Sequence, residues 1–453
     1  MKNLKFSFGA AMGASRTDIE TLKNDYASCA AEAQRWLADV PFDAPGHGWM
    51  ALPDLDCDAA KEAAEWLRGY DCVVQAGIGG SALGNLMLNQ ALLDQYYNET
   101  QSAPKYYLAD NPDPDKTRSI WERVKGKRTA LVGVSKSGAT AETMTQFLWL
   151  RSRMLENGAT DGDILVITDP NGGIFRAFAN ASGCRSLELP ASVGGRYSVL
   201  CAAGLAAAAA LGIDVDALLS GAASMKKFLM NERSFDKNPA MQLAALHLYH
   251  EEAGRPMSVM MPYSSKMAYF AEWYAQLWAE SLGKDGRGTT PVRALGTIDQ
   301  HSQVQLYAAG PDDKFYTFIS LYDHGPEVNV PDAACEALAP LAYLNGQGIG
   351  AMLNLEAQST AAAIAKAGRP LVWIEMERLD ARTLGSLVFF YEYLTALTGR
   401  MMGVDPFDQP GVEQGKRYTY GLMGRSGFEE DAGEVARYFE QIKKITVCAQ
   451  TQK

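Results

Sequence analysis

Apolar positions recur at helical spacing over residues 19–36 and again over 58–67, with a Pro- and Gly-rich loop at 41–54 between them. The pattern then changes. Short β-branched or aromatic runs at 72–76, 106–109, 130–134 and 164–168 are each followed by a turn signal and a helical stretch. Strands alternating with helices predict βαβ units and a largely parallel sheet covered on both faces. A helix expected to open near Val193 and run through a series of alanines to Leu211 closes this first unit. A second alternation begins near residue 255, with strands expected at 257–261, 315–321 and 371–376 and helices at 267–282, 333–344 and 381–401. Pro340 should kink or break the second of these helices. One more amphipathic helix is expected over 429–444, before a polar end. No clear repeat, low-complexity segment or long linker interrupts the chain, so two α/β layers packed against each other across a cleft are expected.

Length and composition narrow the class. The 453 residues suffice for two or three domains, and 47% hydrophobic with 21% charged residues is ordinary for a globular chain. The balance of 42 basic and 53 acidic residues leaves a net charge of −11, with no Lys/Arg cluster longer than two. A protein that tracks a nucleic-acid backbone needs a basic face, so nucleic acid is not an expected partner. The seven cysteines, at 29, 57, 72, 184, 201, 335 and 448, form no C-x-x-C pair. Reduced thiols in a cytoplasmic protein fit them better than a disulfide framework or a zinc ribbon. The N-terminus lacks a continuous apolar segment, so no signal peptide is expected. The most apolar run, 199–213, is mostly alanine and too short for a bilayer; it reads as a buried helix, and no membrane association is expected.

Candidate chemistry gathers at the ends of the expected strands. Gly77-Ile78-Gly79-Gly80-Ser81-Ala82-Leu83-Gly84 follows a strand and precedes a helix, where bare backbone and a helix N-terminus favour an anion. The same residues match G-x-G-x-x-A, so a dinucleotide turn with Asp110 as ribose acid competes, as does a merely tight turn. Ser135-Lys136-Ser137-Gly138-Ala139-Thr140 again ends a strand, and its three hydroxyls and lysine suit a phosphate, the alternative being a Thr140/Thr143 capping arrangement with solvent-facing serines. Arg196, after Gly194 and Gly195, could reach a cleft and stabilise negative charge, or lie at a surface. Gln276 and Glu280 share a helix face at i, i+4, and Tyr274, Leu277 and Trp278 offer apolar flank that would make Glu280 a better base; otherwise Glu280 pairs with Lys284. His301 lies among polar residues at an expected helix start. His247 and His250, followed by Glu251 and Glu252, could ligate metal from one helical turn, but the pattern is not H-E-x-x-H and reads as a solvated face. His47 and His324 fall in loops. Lys416, near the Pro410-Gly411 turn, could be no more than a cation in a last helical turn.

Taken together, these segments resemble the glucose-6-phosphate isomerase (phosphoglucose isomerase) family in its shorter bacterial form, from about Gly77 to Lys416. VGGRYSVLCAAGL (193–205) and FDQPGVEQGK (407–416) are similar to the family's two signature stretches, and SKSGATAET (135–143) to the sugar-isomerase phosphate loop. Ser137 stands where longer animal-type members carry threonine. The resemblance implies an α/β fold with two sugar-isomerase (SIS) domains, each a mainly parallel sheet flanked by helices. The expected division is an N-terminal helical segment 1–65 packing on the second domain, a first SIS domain 66–212, a second 213–425, and a C-terminal helix and tail 426–453. It further implies reversible isomerisation of glucose 6-phosphate and fructose 6-phosphate through a cis-enediolate, in glycolysis and gluconeogenesis, without cofactor or metal. A homodimer with shared active sites is implied as well. By position, Glu280 would carry the proton, Arg196 would face the enediolate, and His301, from the neighbouring subunit, with Lys416 would assist ring opening. Gly80, Ser81, Gln276 and Gln409 would line the sugar site, and Ser135, Lys136, Ser137 and Thr140 the phosphate site. The rival readings are a non-catalytic sugar-phosphate sensor, an NAD-dependent oxidoreductase, and an isomerase that also takes mannose 6-phosphate.

Overall fold

The computed structural model describes residues 4–13, 17–100, 104–332 and 335–446; Cys448 and the polar end lie outside them. The chain forms two compact units, Met1–Phe407 and Asp408–Lys453. The second begins ahead of residue 426, where a C-terminal segment is expected.

The larger unit holds two five-stranded sheets. The first, entirely parallel, is built from β2 (Cys72–Ala76), β3 (Lys105–Ala109), β4 (Thr129–Val134), β5 (Ile164–Thr168) and β6 (Arg185–Glu188), in the order β3-β2-β4-β5-β6. β2, β4 and β5 are buried at every position, as expected of strands covered on both faces. The second sheet comprises β1 (Leu4–Ser7), β7 (Met257–Pro262), β8 (Thr290–Arg293), β9 (Lys314–Asp323) and β10 (Leu371–Arg378), in the order β1-β10-β9-β7-β8. Only β1 runs antiparallel to its neighbour. The α/β class with two mainly parallel, helix-flanked sheets is therefore as expected. β1, β6 and β8 went unanticipated because each is a four-residue edge strand carrying polar or charged side chains, so none reads as an apolar run.

Helix Ala381–Met402 is buried without a break from Thr383 to Gly399, so it has no polar face and serves as a central core element. Helix Pro239–Glu252 corrects the reading of His247 and His250. Both rings are buried, His247 at 4.3 Å from Trp278 and His250 at 4.5 Å from Phe315, centroid to centroid. The helix lies between the second sheet and helix Ile19–Asp39, and has no solvated histidine face. The alanine-rich helix is also shorter than expected. A single 3-10 turn, Gly195–Tyr197, precedes it, and it starts only at Ala202, ending at Ala210. Between them the Ser198 hydroxyl donates to the Gly195 carbonyl at 2.7 Å, diverting the backbone from helical pairing. The segment expected to be helical over 333–344 is a 3-10 stretch, Glu336–Leu344, with Pro340 inside and no buried side chain. Residues 333 and 334 fall outside the described ones. Among the described residues, no helix is long and apolar enough to cross a membrane.

Candidate active site

In the first sheet the strand order reverses between β2 and β4: the chain leaves β2 for β3 on one side, then crosses to β4 on the other. Open parallel sheets leave a crevice at such a point, beyond the carboxyl ends of the strands. The loops bordering it are Gly77–Ala82, after β2, and Ser135–Thr140, after β4.

The glycines of the first loop are used for close approach. A Cβ at Gly80 would fall 2.1 Å from the Gly195 carbonyl oxygen, and one at Gly79, where φ is +56°, would fall 3.0 Å from Gln276 Nε2. The loop is thus pressed against the arginine turn and the Gln276 side chain. Ser81 follows in the same 3-10 turn, its carbonyl accepting from Gln75 Nε2 at 3.0 Å. Asp110, the proposed ribose acid, is ion-paired with Lys116.

Arg196 is no surface residue. Its side chain is 3% exposed, its Nε donates to Ser281 Oγ at 2.7 Å and its Nη2 to the Pro406 carbonyl at 2.7 Å. Nη1 then lies 3.8 Å from Glu280 Oε1. The other carboxylate oxygen, Oε2, accepts from Gln276 Nε2 at 3.1 Å, as the i, i+4 spacing on helix Ala268–Leu282 foresees. Gln276 Oε1 is buried and makes no hydrogen bond among the described residues. Glu280 remains 20% exposed at the open edge of its helix. Tyr274, Leu277 and Trp278 point instead into the core, so they do not supply the apolar flank expected for the carboxylate. Lys284 donates to the Asp405 carbonyl. Ser281 and the Pro406 carbonyl, which hold the guanidinium, were not anticipated; Ser281 was legible only as the neighbour of Glu280.

In the second loop Ser135 Oγ accepts from the Gly138 N–H at 3.1 Å and lies 3.4 Å from Thr140 Oγ1, while Ser137 Oγ accepts from the Ala139 N–H at 3.1 Å. Thr140 occupies the N-cap position of helix Ala141–Glu156, but its side chain makes no capping bond. The start of a long helix is thereby left for an anion. Lys136 donates to the carbonyls of Ala191 and Val193, which ties this loop to the segment leading into Arg196. Burial holds the Lys136 pKa below the usual lysine value, with Asp169 pulling the other way. A nearby anion would offset that cost by favouring the charged ammonium. The structure therefore joins the 79–80 turn, Arg196, Gln276 and Glu280 through direct contacts, and ties the 135–140 loop to the segment that leads into Arg196.

His301 is not among them. It sits on the one-turn helix Ile298–Ser302, exposed, and its imidazole makes no hydrogen bond among the described residues. Gln409 and Lys416 belong to the smaller unit. There Gln409 precedes the 3-10 turn Pro410–Val412, and Lys416 lies in the first turn of helix Glu413–Leu422, not in a last turn, with Glu413 Oε1 at 2.7 Å. That helix packs on Glu429–Ile442, where Arg417 grips Asp431 in a two-pronged bond of 3.1 and 2.8 Å. Among the described residues, no three His, Cys, Asp or Glu side chains group as metal ligands would.

A family model for phosphoglucose isomerase matches residues 64–308 and 353–426. The chain belongs to the phosphoglucose isomerase family. Its relatives include a glucose-6-phosphate isomerase of Rubrobacter xylanophilus, 42% identical over 391 residues that cover 84% of this chain and 90% of that one. One of Carboxydothermus hydrogenoformans is 38% identical over 416 residues, covering 88% and 89% of the two chains. Among solved structures, a hypothetical protein from Thermus thermophilus superposes with a TM-score of 0.82 at 31% identity, covering 93% of this chain and all of that one. A glucose-6-phosphate isomerase from Chlamydia trachomatis shares the fold, with a TM-score of 0.79 at 22% identity over 98% of this chain and 92% of that one.

Proposed function

We infer that the chain interconverts glucose 6-phosphate and fructose 6-phosphate through a cis-enediolate, and that Glu280 moves the proton. The observation that carries this reading is the pairing of Glu280 Oε1 with the buried Arg196 guanidinium at 3.8 Å, beside a phosphate-type loop. Aldose–ketose exchange removes a weakly acidic proton next to a carbonyl. It needs one base that returns that proton to the adjacent carbon, and a fixed cation for the oxygens that gain charge. Gln276 holds one carboxylate oxygen, leaving Oε1 to face the sugar and Arg196. Arg196 is anchored by Ser281 and Pro406, so it meets the enediolate with little reorganisation. The phosphate does not react; Ser135, Lys136, Ser137 and Thr140 would bind it to position the carbons. Gly80, Ser81 and Gln409 would line the sugar. Lys416 and His301 would open and close the ring by exchanging protons with the ring oxygen and the anomeric hydroxyl.

We further propose that His301 acts in a partner's site, in a homodimer. Three features support this: among the described residues its imidazole makes no hydrogen bond and no ion pair with Glu280, and large apolar side chains are exposed on its helix and on the helices beside it. Ile298, Leu306, Ile349, Met352 and Leu355 are each at least 43% exposed, and the one-turn helix is tied to helix Ile349–Lys366 by bonds from Thr297 to Glu356 and from Thr360 to Gln300. A second copy of the chain is the proposed cover for this surface. Residues 1–65 are proposed as an N-terminal segment packing on the second SIS domain (213–425), with the Gly48 N–H also donating to the Ser192 carbonyl of the first (66–212). β1 joins β10, Gln34 donates to the Leu229 and Glu232 carbonyls, and Tyr26 donates to Glu252. A cytoplasmic location accords with this metabolic role.

The deciding experiment is conversion of fructose 6-phosphate to glucose 6-phosphate by the purified protein, with chelator present and nucleotide added only for readout. Rapid conversion is expected. A folded protein that binds sugar phosphates without converting them would instead be a sensor, and mannose 6-phosphate in the same assay reads out a broader specificity.

A further inference from the structure

Thr297 has φ 63° and ψ −56°, and is one of two non-glycine residues with positive φ among the described residues. The Ile298 N–H donates to the Gly296 carbonyl at 2.9 Å, closing a three-residue γ-turn about Thr297. The positive-φ form of this turn is rare and strained, more so for a β-branched side chain. Such a conformation persists only where its surroundings over-determine it. Here they do. Thr297 Oγ1 donates to Glu356 Oε2 at 2.6 Å, and the Leu295 N–H donates to Asp299 Oδ2 at 2.6 Å across the turn. A Cβ at Gly296 would fall 2.3 Å from the Tyr263 ring, so the chain lies flat against that ring. The Tyr263 hydroxyl donates to Gln300 Oε1 at 3.2 Å, and Thr360 Oγ1 donates to the same oxygen at 2.7 Å.

This clamp launches helix Ile298–Ser302, in which the His301 N–H donates to the Thr297 carbonyl at 3.2 Å. No residue of that helix is buried, so no core packing sets its direction. We propose that Thr297 and Glu356 are positioning residues for His301: the strained turn, locked by the hydroxyl–carboxylate bond, aims the imidazole out of the surface. The proposal rests on the reading that His301 assists ring opening.

The test is a double-mutant cycle. Thr297→Gly removes both the strain and the hydroxyl, so the protein should fold with a thermal midpoint at or above that of the unaltered chain. Its kcat should fall about 10- to 100-fold, the scale of a misplaced catalytic group, with KM nearly unchanged. Thr297→Ser should recover most of the rate, and Glu356→Ala should lose as Thr297→Gly does. In a His301→Ala background, Thr297→Gly should cost nothing more. An undiminished kcat for Thr297→Gly while His301→Ala is impaired overturns the positioning role and leaves His301 in place. An equal loss in both backgrounds also overturns it, because Thr297 would then act by another route. Full activity of His301→Ala removes the His301 reading itself.

Discussion

Glu280 and Gln276 stand one helical turn apart, and that spacing alone joins them; what makes the pair chemical is Arg196, 84 positions before Glu280 in the chain and 3.8 Å away in the fold. Glu280→Gln keeps the shape and loses the base. Turnover should drop by about 10²–10⁴-fold while calorimetric binding of the sugar phosphate survives, and a variant retaining more than about a tenth of the activity would refute the assignment. Lys136→Ala, in contrast, should raise KM with kcat little changed, because the phosphate is equally bound in ground and transition states; a pure rate defect would speak against it. At this scale the residue types and motif positions were readable in advance. Their partners were not: the Ser281 hydroxyl and the Pro406 carbonyl that fix the guanidinium carry no local signal.

At the scale of elements, helices Pro239–Glu252 and Ala381–Met402 bury ionisable groups that the mechanism does not use. Burial pushes the His247 and His250 imidazoles down to about 3. Glu392, fully buried with neither carboxyl oxygen bonded among the described residues, is pushed well above the ordinary carboxylate range, again by burial. The signs follow from proton counts. Between pH 6.5 and 3 the unfolded chain binds protons that the folded histidines refuse, so stability falls on acidification, by up to about 2.7 kcal/mol per pH unit for two groups. Above pH 4.5 the unfolded chain releases the Glu392 proton that the folded one keeps, so its contribution is lost as pH rises. Glu392→Gln should therefore make the slope of unfolding free energy against pH more positive between pH 7 and 8.5, by up to about 1.4 kcal/mol per unit. Denaturant titrations at several pH values measure this, and an unchanged slope would mean Glu392 is ionised in the fold.

For the whole molecule, the proposed homodimer makes a testable statement about which protomer would complete which site. If Glu280 of one subunit works with His301 of the other, mixing inactive Glu280→Gln with inactive His301→Ala protein under exchange conditions should restore activity. Each mixed dimer would hold one site with both groups intact and one with neither. Failure to recover activity in dimers shown to have exchanged would place both groups in one chain. A charge on the surface proposed to be covered, as in Leu355→Arg, should shift sedimentation toward the monomer, since Leu355 is 58% exposed and an unburied arginine there costs the monomer little.

The seven longer strands, most of the long helices and the α/β class were legible in the sequence, and candidate loops and acid–base residues could be named there, because periodicity and motif spacing are local properties. Three things needed the tertiary structure. Which way a helix face points was one: Tyr274, Leu277 and Trp278 went to the core and left Glu280 on the open edge, and His247 and His250 went inward too. The short charged edge strands were another, since they exist only through pairing with a neighbour. The third was the contact of Gly80 with the Gly195–Arg196 turn, of Arg196 with Glu280, and of Lys136 with the carbonyls of Ala191 and Val193. A one-dimensional pattern records what each residue prefers; distant residues are brought together by the packing of sheets and helices, whose energy depends on the whole fold.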